Sequence, residues 1–401
     1  MSASSILITD DYLPHFGGSR LYCHKVASLL APRLNVVTRA RPFTRDFDSA
    51  LTYPLRRVPL RGRFLPPPAV LGEFLDAVSL SRAAASLVPD ASSVLAGEVN
   101  PSAFAAAAVS ALTGIPFGVI LHDEPMMGAS PLEAPLRRWV LSRAKAIIVS
   151  STFPLKRAGQ ILAQKTPVFT AFPGVDTAVF SPGEPDYTLL KRMGLLGTPY
   201  LLSVGRLVPY KNVAGLIDVL TRFSGENLSL AVVGEGPQSS DLERQAASRG
   251  LSGRVRFLGK VDTDTLACLY RGALAYVFPS LRSHGLQHEG IGMAMLEAAA
   301  CGCPPIASIH TSADDFIEDG RTGLVFDPYE KGALGKVLSR IIHDPPLRAS
   351  LSSAAARKAR SRFTWQACAA SFAEALDYLD SVPATRHKFL PFVKLAFLSR
   401  R

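Results

Sequence analysis

The chain has 401 residues, 48% hydrophobic and 19% charged, with a formal net charge of +11. That length exceeds one ordinary core and fits two domains of roughly 180–200 residues each, and the apolar content excludes a disordered chain. Cys23, Cys268, Cys301, Cys303 and Cys368 are odd in number and scattered, which suits reduced thiols in a cytoplasmic protein better than a disulfide framework.

In chain order, residues 5–9 read as a buried strand. A polar loop with Pro14, Gly17 and Gly18 follows, then a helical pattern to about Leu30 and a second strand at 35–38. Further strands are expected at 93–96, 117–121, 146–150 and 168–171, with helices between most of them, including the alanine-rich stretch 103–112. This alternation is that of a doubly wound α/β domain. Pro182, Gly183, Pro185 and Gly197 interrupt the rhythm, so a linker is placed at 183–198. A second α/β series then has strands at 200–204, 229–233, 255–258, 275–278, 305–307 and 323–325. Residues 327–379 read as helices, with Trp365 and Phe372 on an apolar face.

The expected architecture is therefore α/β with two Rossmann-like domains, 1–182 and 199–380, and a tail at 381–401. Two such domains in tandem leave a cleft facing the carboxyl ends of both sheets, where ligands bind. Residues 1–9 have no basic stretch before a long apolar core, so no secretory signal is expected. The longest uncharged run, 99–121, is broken by Asn100, Pro101 and Pro116, and no membrane span is expected.

Glu289 and Glu297 stand eight residues apart, with Gly290, Ile291 and Gly292 between them. On one continuous helix they would lie about 80° apart and two turns displaced. The glycines argue that Glu289 lies in a loop and that the helix starts near Gly292. Its N-terminal N–H groups then suit a phosphate or sugar hydroxyls, and ionised carboxylates accept from a ribose diol. Arg206 and Lys211 fall in the loop after the first strand of the second series. Two fixed cations there can stabilise a departing diphosphate without a metal. His122 ends an apolar strand on the ligand side.

Asp46/Asp48 and Asp262/Asp264 have the Asp-x-Asp spacing of a metal site. The second pair opens a helical pattern, where Asp262 or Thr263 serves as an N-cap, so no metal ligand is assigned. Cys301, Gly302 and Cys303 read as a turn.

Basic residues cluster at 39–63, with seven arginines against Asp46 and Asp48, and in the tail, with Arg386, Lys388, Lys394, Arg400 and Arg401. No nucleic-acid-binding motif accompanies them. An anionic membrane surface or phosphorylated acceptor is the favoured partner and nucleic acid is not expected. The apolar tail from Phe389 reads equally as a segment packed on the first domain or as a membrane-surface anchor.

Taken together, Gly205, Arg206 and Lys211, the run 233–237, Phe257 to Gly259, Phe278 to Ser280, Glu289 and Glu297, and Ile317, Gly320 and Gly323 resemble the retaining glycosyltransferases of family 4, of GT-B fold. The resemblance extends to Pro14, Gly17 and Gly18, His122 and Asp123, Ser150, and Gly174, Val175, Asp176 and Phe180. It reaches to about residue 380.

The resemblance implies a cytoplasmic hexosyltransferase, with no cofactor and no metal. A nucleotide-diphosphate sugar is the donor and a glycan or lipid-linked molecule the acceptor. It implies that Glu289 holds donor-sugar hydroxyls, Glu297 the ribose, and Arg206 and Lys211 the diphosphate. Gly259 and Lys260 border the base, His122 lies beside the reacting sugar, and Gly17 and Gly18 admit the phosphate or acceptor. Gly290, Ile291 and Gly292 complete the donor set. The insertion between Ser280 and Glu289, with His284 and His288, resembles the subgroup that builds bacterial exopolysaccharides. Retention would proceed by front-side attack, because no carboxylate nucleophile is marked.

Three other functions compete with this one. A nicotinamide dehydrogenase wants Gly-x-Gly-x-x-Gly after its first strand, which is missing here. A nucleotide-sugar epimerase of the same two-domain type remains open and would turn over a nucleotide sugar without an acceptor. A non-enzymatic binder fits the donor constellation least.

Overall fold

A computed structural model describes residues 4–15, 17–59, 69–122, 133–158, 166–281 and 290–385. The expectations placed on Asp123, His284, His288, Glu289 and the tail from Arg386 lie outside the described residues, as do Arg61 and Arg63. The chain divides into two compact units. One is Met1–Pro173 with Trp365–Arg401, and the other is Gly174–Thr364.

The first unit is built on β1 (Ser4–Ile8), β2 (Leu34–Arg39), β3 (Leu55–Val58), β4 (Ala91–Ala96), β5 (Phe117–Leu121), β6 (Ala146–Val149) and β7 (Val168–Thr170). Among the described residues these seven strands form one parallel sheet in the order β3-β2-β1-β4-β5-β6-β7. The central strands are short apolar runs because both faces are covered. Ile6, Ile8, Val94, Val119, Leu121 and Ile147 share one core with Ala105, Ala106 and Val109 of helix Ser102–Thr113. Small alanine side chains let that helix lie close to the sheet.

Helix Trp365–Ser381 also belongs to this unit and buries Trp365, Phe372, Leu376 and Leu379. Tyr22 stands edge-on to Trp365, ring centroids 6.2 Å apart, and Arg33 pairs with Asp377 at 2.8 Å and Asp380 at 3.3 Å.

The second unit has β8 (Tyr200–Val204), β9 (Ser229–Val233), β10 (Val255–Gly259), β11 (Ala275–Phe278), β12 (Pro305–Ser308) and β13 (Leu324–Phe326). These six described strands form a parallel sheet in the order β10-β9-β8-β11-β12-β13. Leu201, Leu230, Val232, Val277 and Ile306 pack with Leu216 and Ile217 of helix Val213–Leu220 and with Leu338 and Ile341 of helix Ala333–His343. In each sheet the strand order reverses beside the first strand, between β1 and β4 and between β8 and β11. Crevices for ligands open at such points.

The division departs from the sequence reading in two places. It falls after Pro173 instead of in a linker at 183–198, and it gives the helix at 365–381 to the first unit instead of the second. The expected linker holds helix Tyr187–Arg192, whose cap Asp186 accepts from the Thr188 and Leu189 amides at 2.8 and 3.1 Å. The arginine cluster supplies β3, an edge strand of Leu-Arg-Arg-Val. All five cysteines are buried free thiols, and Cys301 and Gly302 form a turn.

Candidate functional site

The second unit places Arg206, Lys211, Gly259, Lys260 and Gly290 to Gly292, all expected donor residues, at or after the carboxyl ends of its strands. After β8 the chain makes a tight loop, Gly205 to Asn212, ending in a single 3-10 turn at Pro209–Lys211. Backbone hydrogen bonds hold the loop against the end of β9: Gly205 N donates to Val233 O at 3.0 Å and Leu207 N to Glu235 O at 2.9 Å. This approach needs a residue without a side chain. A Cβ on Gly234, at φ 128°, would stand 1.9 Å from the Gly205 carbonyl oxygen.

On the other side, Asn212 Nδ2 donates to Pro279 O at 3.1 Å, and Leu281 N donates to Tyr210 O at 2.7 Å. The Asn212 side chain also accepts from the Gly215 amide and so caps helix Val213–Leu220. The loop is thereby tied to both neighbouring strand ends.

Arg206 is exposed, and its guanidinium donates to the Tyr210 hydroxyl at 3.2 Å. Lys211 Nζ lies 5.0 Å from the centre of the Phe278 ring, at the end of β11. Both cations border a small pocket lined also by Gly205, Val233 and Pro279. Gly259 closes β10 with φ +63°, and Lys260 beside it is exposed.

Helix Met293–Ala300 starts directly after Gly292, where the glycine spacing puts it. Gly292 adopts φ +73°, and a Cβ there would come within 3.0 Å of the Phe278 ring. Gly290 and Ile291 are buried. Glu297, in the second turn of this helix, is half-buried, and the Tyr270 hydroxyl donates to its Oε2 at 3.3 Å. Burial pushes its carboxyl up to about 7, against the smaller lowering effect of that hydrogen bond. A carboxyl so held accepts a proton or hydroxyl donors in place of lost water.

Tyr270 belongs to none of the sequence motifs. Its ring stands edge-on to Phe180, centroids 6.0 Å apart. Arg271 donates to the Val179 and Ser181 carbonyls at 3.0 and 2.9 Å. The segment from Gly174 to Ser181 thus supports the helix that carries the partner of Glu297. The only sequence signal for Tyr270 is its place on the apolar face of a helix.

In the first unit, Gly17 is the N-cap of helix Gly18–Leu29, with φ 175°, an extended conformation open to any residue. A Cβ there would meet only the Arg20 side chain, at 3.4 Å. Gly18 is exposed. His122 follows β5 directly. Its Nδ1 lies 3.2 Å from Ser150 Oγ, and Tyr22 stands edge-on to its ring at 5.2 Å. Burial brings the imidazole down to about 4, against the raising effect of the Gly97 carbonyl, so the ring is neutral at physiological pH.

Asp262 caps helix Thr263–Gly272 by accepting from Thr265 N at 2.7 Å. Asp48 accepts from Arg57 at 2.7 Å through both its oxygens. Each Asp-x-Asp pair therefore has a carboxylate in a structural role.

Residues 193–358, the stretch that carries Arg206, Lys211 and Glu297, match the family model "Glycosyl transferases group 1". That stretch of the second unit is a group 1 glycosyltransferase segment.

The chain is 32% identical over 209 residues to a Mycolicibacterium smegmatis protein named GDP-mannose-dependent alpha-(1-6)-phosphatidylinositol monomannoside mannosyltransferase. The match covers 51% of the chain and 54% of that relative. A Corynebacterium glutamicum protein, named GDP-mannose-dependent monoacylated alpha-(1-6)-phosphatidylinositol monomannoside mannosyltransferase, is 26% identical over 380 residues, covering 91% of the chain and 96% of the relative. Among solved structures, Anabaena Alr3699/HepE in complex with UDP superimposes with a TM-score of 0.78 at 20% identity, covering 93% of the chain and 99% of that one. The fold is GT-B. These matches support a glycosyltransferase that uses a nucleotide sugar over the dehydrogenase and epimerase readings.

Proposed function

We propose that the protein transfers a hexose, with retention and without a metal, from a nucleotide-diphosphate sugar to a glycan or lipid-linked acceptor. The observation that carries the reading is the second unit's loop of Arg206 and Lys211, held by hydrogen bonds to the ends of β9 and β11, in the unit that also holds the desolvated Glu297. Arg206 and Lys211 neutralise the diphosphate as it leaves, Glu297 accepts from the ribose diol, and Gly259 and Lys260 border the base. Gly290, Ile291, Gly292 and Glu289 hold the donor sugar.

The bond from the anomeric carbon to the phosphate oxygen breaks. The bond to the acceptor hydroxyl forms on the same face, and the acceptor proton passes to the leaving phosphate. A neutral His122 presents a hydrogen-bonding dipole to the sugar, and Gly17 and Gly18 leave room for phosphate or acceptor. The reading keeps the protein in the cytoplasm, at an anionic membrane face. No helix among the described residues is long and apolar enough to cross a membrane.

GDP-mannose is the first donor to test and a phosphatidylinositol monomannoside the first acceptor, because the two relatives bear those words in their names. Calorimetric binding of GDP, UDP and ADP in EDTA is the test. We expect micromolar binding of one nucleotide, weakened at least about thirtyfold in Glu297→Ala, the loss of a charge-assisted hydrogen bond. Folded protein that binds none of the three would overturn the reading.

A further inference from the structure

One carboxyl in the first unit has no part in the scheme above. Glu98 lies two residues beyond β4, at the β1/β4 reversal of strand order. Its Oε1 is 2.8 Å from Thr9 Oγ1, and its Oε2 accepts from Asp10 N at 3.1 Å. Ser102, the first residue of helix Ser102–Thr113, places its Oγ 3.3 Å from Oε2 and 2.8 Å from the Glu98 carbonyl oxygen. Thr9 and Asp10 open the loop that ends at Gly17 and Gly18. The residue before Glu98 adds a second tie: Gly97 N donates to Ile8 O at 2.7 Å, and the Gly97 carbonyl faces the His122 imidazole.

We infer that Glu98 is a positioning residue of the transferase: its carboxylate clamps the start of the first loop to the end of β4, and so sets where Gly17 and Gly18 stand and how Gly97 meets His122. That the loop and His122 serve the reaction rests on the proposed function. The clamp itself rests on the hydrogen bonds.

The Asp10 amide can only donate, while the Thr9 and Ser102 hydroxyls each have one proton, shared with the Asp11 and Glu98 carbonyls, and the ionised carboxylate supplies acceptor oxygens to all three. Burial works against ionisation and brings the carboxyl up to about 7; the amide of Asp10 and the hydroxyls of Thr9 and Ser102 oppose that, and the charge of Asp10 adds to it. The other titratable neighbour is the buried thiol of Cys23 on helix Gly18–Leu29. Asp10 is ion-paired to Arg39, which also holds Asp76, while Asp11 is held by Arg20 and Arg41. With the nearby arginines so engaged, the Glu98 carboxylate is held by neutral donors: the Thr9 and Ser102 hydroxyls and the Asp10 amide. Protonation near neutrality turns one accepting oxygen into a donor, removes the charge that strengthens the Asp10 amide bond, and so weakens the clamp.

Glu98→Gln keeps the length of the side chain and fixes the form with one donor end. The test combines amide hydrogen exchange over residues 9–18 with nucleotide release from GDP-mannose, UDP-glucose and ADP-glucose at saturating donor, with a phosphatidylinositol monomannoside supplied as acceptor, from pH 6 to 8.5. Saturating donor removes any titration that acts through donor affinity, including that of Glu297. We expect wild-type kcat to fall about tenfold per pH unit below about 7. Glu98→Gln should show faster exchange over 9–18 and a kcat at least tenfold lower and flat with pH, with donor KM within threefold of wild type.

Unchanged exchange overturns the clamp. Faster exchange with kcat and its pH profile unchanged overturns the positioning role and leaves a structural one. Wild-type protein that releases no nucleotide from any of the three donors overturns the proposed function instead, and the exchange comparison then decides the clamp alone.

Discussion

The loops that follow the first strand of each unit meet glycines for different reasons. In the second unit the loop after β8 is pressed against its neighbours, and the absent side chain of Gly234 is the space that the Gly205 carbonyl occupies. In the first unit Gly17 has an extended backbone, and a side chain added there would meet only a flexible arginine. The first kind of glycine answers to the protein's own backbone. The second has no such cause inside its unit, and approach of a ligand is the cause that the proposed function supplies.

Replacing Gly234 with alanine breaks the comparison most severely. The new methyl cannot coexist with an oxygen 1.9 Å away, so the loop carrying Arg206 and Lys211 must move. We expect about 2–4 kcal/mol of destabilisation, read as a lower unfolding midpoint, and loss of nucleotide binding.

Arg206→Ala and Lys211→Ala leave the loop's backbone ties intact and remove charge. Each should lower turnover by about 10²–10³-fold while the midpoint moves by less than about 0.5 kcal/mol. A large fall in stability would show that the cations hold the loop instead of the ligand.

The next effect is in pH. Glu297 ionises at about 7 in the free protein, and a diol that donates to it favours the ionised form. Nucleotide affinity should therefore rise by up to about tenfold per unit as pH climbs toward 7, and level off above it. Titration calorimetry on Glu297→Gln should give a flat and weaker profile. Stability carries the opposite sign. A carboxyl whose pKa is raised from 4.5 to about 7 disfavours the folded state as pH rises through that window.

The smallest effect on stability belongs to Gly17→Ala. The midpoint should stay within about 0.5 kcal/mol of wild type, while kcat/KM falls. A midpoint shift of several kcal/mol would mean that this glycine too serves the fold.

Much of the second unit is legible in the sequence because its signals are local. β8, β9 and β11 are mostly apolar runs whose bounds match the expected ones, and the start of the helix after Gly292 follows from two glycines. β3 escapes such a reading because Arg56 and Arg57 interrupt an edge strand only four residues long. The helix at 187–192 escapes it because Pro182, Gly183, Pro185 and Gly197 around it read as linker, although Asp186 is an ordinary cap.

Glu98 and Tyr270 cannot be found by spacing. Each owes its role to a residue far along the chain, 89 positions away at Thr9 in the one case and 27 positions away at Glu297 in the other. The partner of helix Trp365–Ser381 is equally hidden. An apolar stripe states that a face will be covered and says nothing of which sheet covers it.

That helix has a consequence for how the protein is made. The first unit is assembled from two pieces of chain, while the second is continuous from Gly174 to Thr364. A ribosome adds roughly 5–20 residues per second, so the first sheet waits roughly ten to forty seconds for the helix that covers it. The second unit emerges whole in the meantime and can close first. Birth order along the chain and order of completion are thus reversed. The interval in which Tyr22 and its neighbours lack Trp365 and Phe372 is when a nascent chain is most exposed to chaperones and to aggregation.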